Sequence, residues 1–109
     1  MNGPRRSSAL LLLDLQNDFI HPEGAYARGG VDVLSFQRTV KTLRPLVEKI
    51  RGAGLPIISS HFTLVTGMNG DAFISAHLRR LRPFLKAGDF CSGTFGHCLV
   101  DELSPSDFA

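Results

Sequence analysis

The apolar positions of this chain change their spacing as it proceeds. Ala9–Leu13 is an unbroken apolar run that meets a carboxylate at Asp14 and then the polar group Gln16, Asn17 and Asp18. A continuous apolar run is how a buried parallel strand reads, so Ser8–Leu15 is predicted as the first strand. Open α/β sheets hold ligands just beyond the carboxyl ends of such strands, which makes Asp14 the first candidate for chemistry. The turn residues of His21–Gly24 and of Arg28–Gly30 predict a loop. From Asp32 onward Val33, Phe36, Val40, Leu43, Val47 and Ile50 recur at alternating steps of three and four, one apolar stripe on a helix. Asp32 is placed to cap its first turn, and Gly52 and Gly54, with Pro56 just beyond, supply its stop. Pro45 falls inside the stripe and predicts a kink or a second helical start.

Leu55–Thr63 then reads as another short apolar strand. Strand, helix and strand with close connections make a βαβ unit, hence a parallel sheet with a right-handed crossover. Thr66–Asp71 is predicted as a loop, Asp71–Leu85 as helical and Lys86–His97 as glycine-rich irregular chain. Cys98–Leu103 is expected to form one or two helical turns, and Ser104–Asp107 a turn.

Composition narrows the class. The 109 residues are 43% apolar and 20% charged with a net charge of +2, within the range of one ordinary globular domain or part of one. Lys and Arg are scattered rather than striped, so no nucleic-acid partner is expected; Arg5-Arg6 and Arg79-Arg80-Leu81-Arg82 read as solvated groups. The two cysteines, Cys91 and Cys98, make no disulfide framework. The run ending at Leu13 is shorter than the ~7–15 residues of a signal-peptide core, and nothing approaches the ~20 apolar residues of a membrane span. The expectation is a soluble, cytoplasmic protein with no membrane partner.

The segment Leu12-Leu13-Asp14-Leu15-Gln16-Asn17-Asp18-Phe19 resembles the opening motif of the isochorismatase-like cysteine hydrolases. Arg51–Ile58 is similar to that family's first-helix turn and second strand, and Gly93–Pro105 resembles its glycine-led turn and short helix ending at a proline. The resemblance spans residues 9–108, after a flexible start at residues 1–8. It implies an α/β fold, the three-layer Rossmann-like parallel sheet of that family, present as an incomplete N-terminal part. It also implies hydrolysis of a small amide, imide or vinyl-ether substrate by an aspartate, a lysine and a cysteine, with no cofactor. The aspartate maps onto Asp14. In amide-cleaving members it takes the proton of the attacking cysteine while the lysine holds the charges, because a free thiol of pKa about 8.5 is mostly protonated at neutral pH.

The lysine and cysteine have no counterparts here. Lys86, Cys91 and Cys98 all stand outside the positions the resemblance implies for them, so the expected hydrolase is truncated before both. Asp14 is therefore a catalytic position without its nucleophile, and whether this chain is itself an enzyme stays open; Gln16 and Phe19 are candidate substrate-binding residues. Loop hydrogen bonding is the competing role for Gln16, and core filling for Phe19. Asp18 is expected to order the loop. His61 follows the second strand without the further spaced ligands that zinc needs, so no metal is expected, and the Cys91…His97-Cys98 group reads as a surface loop. With one edge of the leucine strand uncovered, the isolated chain is expected to be marginal or aggregation-prone. The alternative reading is a non-catalytic remnant or interaction subunit that pairs its exposed sheet edge with another chain, including a homo-oligomer.

Overall fold

The computed structural model describes residues 8–103. The expected frayed start, apart from Ser8, the Arg5-Arg6 pair and the turn at Ser104–Asp107 lie outside the described residues. Six elements follow in order: β1 (Leu10–Leu13), α1 (Asn17–Ile20), α2 (Ala25–Arg28), α3 (Leu34–Gly52), β2 (Ile57–Ser60) and α4 (Ala76–Leu81). β1 and β2 pair in parallel, Leu10 with Ile57 through Leu13 with Ser60. The long helix α3 makes the connection between them, which is the βαβ unit of an α/β protein.

The stripe on α3 explains how the sheet is covered. Val40 and Val47 are buried with Leu12 and Ile57 in one core cluster, and Leu43 and Ile50 pack against it. Phe36 departs from the expectation: it is exposed and faces a cavity rather than the core. α3 runs through Pro45 as a single helix, so no second segment begins there. Buried valines on both sides of the proline dock the same helix onto the same cluster, which offsets the missing backbone donor. At the start, Asp32 Oδ1 accepts the Leu34 N–H at 3.0 Å, although Val33 is the N-cap residue. At the end, Leu55 N–H donates to Ile50 O and Gly54 N–H to Arg51 O, with Gly54 at φ 77°. This is a Schellman stop, which needs the left-handed conformation that glycine adopts freely.

Both strands are shorter than predicted, and β1 is not the wholly buried strand that its leucines imply. Leu12 is buried, but Leu11 is 56% exposed and Leu13 60%, with Ile58 of β2 beside them at 49%. The sheet of the described residues has two strands, so α3 covers one of its faces and alternate side chains turn to the other.

Outside the βαβ unit the local structure falls in different places from those the turn residues predict. α1 and α2 occupy the polar cluster and the predicted loop. The predicted helix over 71–85 contracts to α4, where the Ser75 side chain accepts the Leu78 N–H at 3.1 Å and Pro83 lies just beyond. The turns expected at Cys98–Leu103 do not form a helix. Leu99 instead bridges Gln16 in antiparallel sense, and Val100 N–H donates to Leu15 O. The physical reason is that Val100 and Leu103 are buried in the β1–α3 cluster, and the strand-like bridge delivers them there. A second cluster of Ala25, Leu64, Leu85 and Phe90 lies alongside, and Phe19 packs against both.

Candidate functional site

Asp14 follows β1 directly and leaves the strand by a sharp turn. Its N–H still bonds Ser60 O at 3.0 Å, but its φ is 62°, the left-handed region that Asp tolerates better than most side chains. That turn sends the chain from the sheet into α1 within three residues. The carboxylate is half-buried, and its Oδ1 accepts the Ser60 hydroxyl at 3.3 Å.

Asp14 lines a cavity of about 300 Å³ together with Leu15, Phe19, Ile20, Phe36 and Thr39. Its wall is apolar except for the carboxylate and the Thr39 hydroxyl, the arrangement that orients a small ligand through a few polar groups. Two of the three sequence candidates, Asp14 and Phe19, are therefore brought together. Phe19 lines the cavity and also belongs to the core, its ring tilted against Phe90 and edge-to-face with Tyr26 at centroid distances of 4.5 and 4.9 Å.

Gln16 sits behind that wall, fully buried. Its amide is used up by the main chain: Nε2 donates to Phe62 O at 2.9 Å and to His97 O at 3.0 Å, and Oε1 accepts the Phe62 N–H at 2.8 Å. It clasps the end of β2 to the glycine-rich segment. Asp18 does the same for the other side, accepting Ala25 N–H through Oδ1 at 2.9 Å and Phe90 N–H through Oδ2 at 2.8 Å. Asn17 adds a bond from Nδ2 to Phe95 O at 2.8 Å. The polar cluster after β1 is thus a set of anchors for residues 90–98, a surface loop as expected, with Ser92, Gly93, Phe95 and Cys98 exposed, whose inner side is pinned to α1. A Cβ at Gly96 would fall inside the Asp18 carboxylate, so glycine is required there by close approach.

The remaining titratable groups lie outside the cavity. Cys91 Sγ donates to Leu64 O, and the exposed Cys98 Sγ to Thr94 O, each at 3.4 Å. His97 Nε2 meets Thr63 Oγ1 at 2.8 Å, not a thiol. The His97 ring lies 4.9 Å from that of His61. Burial first, and then the His61 charge, lower the His97 pKa from 6.5, against a raising contribution from Asp18. Among the described residues no three His, Cys, Asp or Glu side chains gather as a metal site needs.

Sequence reasoning missed Phe36 and Thr39 as cavity residues. Phe36 belongs to the stripe and Thr39 does not, and both line the cavity where α3 packs against α1, a relationship that periodicity does not contain. Ser60 was missed as well, because the sequence runs the second strand on to Thr63, whereas β2 ends at Ser60 beside the end of β1.

A parallel βαβ unit with a carboxylate at the carboxyl end of its first strand defines the class as α/β. The family model described as Isochorismatase domain matches residues 8–109, and the chain belongs to the isochorismatase family, a hydrolase-like class. Comparison with curated proteins and with solved structures gives no match. No helix among the described residues is long and apolar enough to cross a membrane.

Proposed function

We propose that this chain supplies the acid side of an isochorismatase-type hydrolase site acting on a small amide, imide or vinyl ether, within the three-layer sheet of that family. The observation that carries the reading is Asp14, turned out of the end of β1 into an apolar cavity. In this role its carboxylate accepts the proton of an attacking thiol, and the neighbouring Ser60 hydroxyl fixes which oxygen is free to do so. Phe19 and Phe36 provide apolar walls for the substrate, and Gln16 holds the wall in position instead of touching substrate. No lysine or cysteine of the described residues lines the cavity, and in this reading the nucleophile and the cation are groups other than Lys86, Cys91 and Cys98. The two free cysteines fit a reducing compartment such as the cytoplasm.

The test is a titration of the full chain with isobutyramide followed by amide and methyl NMR. Saturable shifts at Phe19, Phe36 and Thr39 that weaken in Asp14→Asn support the reading. Shifts that bypass the cavity overturn it, and thiol-dependent amide turnover by this chain alone overturns the claim that its nucleophile lies elsewhere.

A second reading is favoured by one observation, the exposed apolar face of Leu11, Leu13 and Ile58. The side chains on that face stand beside a β1 edge that has no partner among the described residues. An interaction subunit would use both, adding a strand of another chain, or of a second copy, to that edge.

A further inference from the structure

The side of α3 next to the Asp14 cavity carries a second concavity, of about 400 Å³, separated from the first by Ile20. Its lining is of another chemistry. Arg38 and Lys41 stand three residues apart on α3, hence on one helix face, and Leu34 one turn earlier continues that face. Val100 and Ile20 form the apolar floor, and His21 and Glu102 complete the polar lining. Among the described residues neither Arg38 nor Lys41 has an ion-pair partner. His21 Nδ1 accepts the Glu23 N–H at 3.0 Å, which leaves Nε2 as the donor nitrogen of the neutral ring.

We propose that this groove is a binding site for a small anionic ligand, a phosphate monoester or a free carboxylate with an apolar body, separate from the Asp14 cavity. The guanidinium offers a planar fork that matches two oxygens of such a group, and the Lys41 ammonium adds a point charge beside it. Two cations face one carboxylate, Glu102, so the groove favours an anion overall, while Glu102 weakens the attraction. The volume lies within the roughly 300–1,000 Å³ typical of small-molecule sites, and the apolar floor selects a ligand larger than a bare inorganic ion.

The experiment titrates the full chain with phenyl phosphate, with phenol and inorganic phosphate as controls, and reads NMR shifts at His21, Gln37, Arg38, Lys41 and Val100. Saturable shifts at these residues are expected for phenyl phosphate, with weaker binding of inorganic phosphate and none of phenol. The double variant Arg38→Gln/Lys41→Gln, changed at exposed positions, should bind at least tenfold more weakly with an unaltered circular dichroism spectrum. Glu102→Gln should bind severalfold more tightly. Asp14→Asn should bind phenyl phosphate unchanged, which keeps this result apart from that of the amide titration. Equal affinity in the double variant, equal binding of phenol, or shifts centred on Phe36 and Thr39 overturns the proposal.

Discussion

Asp18 Oδ2 accepts the main-chain N–H of Phe90 at 2.8 Å, across 72 positions of sequence. The bond holds Phe90 at φ 55°, an uncommon conformation for a bulky residue, and that ring, fully buried, is the centre of the second core cluster. A carboxylate next to the candidate site thus secures a ring of the core. Asp18→Asn keeps one acceptor oxygen and leaves either Ala25 N–H or Phe90 N–H facing an amide donor. The expected loss is about 1–3 kcal/mol, read from urea denaturation by circular dichroism, with Asp18→Ala at least as costly.

Gly96→Ala attacks the same contact from the other side. The added methyl meets the Asp18 carboxylate and must displace the loop of residues 90–98. Overpacking of this kind costs typically 1–3 kcal/mol or more. Gly30→Ala is a control: it meets no neighbour but sits at φ 89°, so its cost is backbone strain alone. The two urea midpoints should separate, with Gly96→Ala the lower.

Gln16→Glu nearly preserves shape and reverses chemistry. The amide donates to two carbonyl oxygens, and a carboxylate would turn acceptors toward both. Stability should fall by roughly 1–3 kcal/mol at pH 7, and part of it should return near pH 4, where the new carboxyl regains a proton. The readout is the urea midpoint at the two pH values, each taken relative to the unsubstituted chain.

His97 gives the fold a pH dependence. Its folded pKa is lowered from 6.5, by burial first and by His61 second. Below 6.5 the unfolded chain therefore takes up a proton more readily than the folded one, and stability rises with pH across that window. This contribution is complete above about pH 6.5 and is lost as pH falls toward the lowered value. Melting temperatures between pH 7.5 and 5 should decline, and His97→Gln should flatten the decline. An unchanged slope in that variant would remove His97 as its source.

The exposed face of β1 predicts concentration dependence. Replacing Leu11 and Leu13, 56% and 60% exposed, with lysine should leave the melting temperature of the monomer nearly unchanged and suppress self-association in sedimentation velocity. A large loss of monomer stability would instead place these leucines in a core.

Much of the first half of the chain was legible from its residues. Val40, Val47 and Ile57 enter the core as their spacing requires, Gly54 stops α3, and Asp14 stands where a strand meets a pocket. Local chemistry is enough for these, because helix period, turn conformation and strand termination act over a few neighbouring residues. Val100 and Leu103 show the limit: their short-range pattern suits a helical turn, yet both are buried against β1 and α3 just after an antiparallel bridge at Leu99.

The sequence by itself determined the βαβ unit, its family resemblance and the candidate acid. Only the tertiary structure decided what surrounds that acid. Gln16 looks like a pocket residue in one dimension, and the main-chain groups that use up its amide lie 46 and 81 positions away. Phe36 looks like core and lines the cavity. The number of layers around β1, not its composition, leaves Leu11 and Leu13 in solvent. Each of these depends on which distant segment arrives at a given side chain, a matter of packing that periodicity along one segment does not encode.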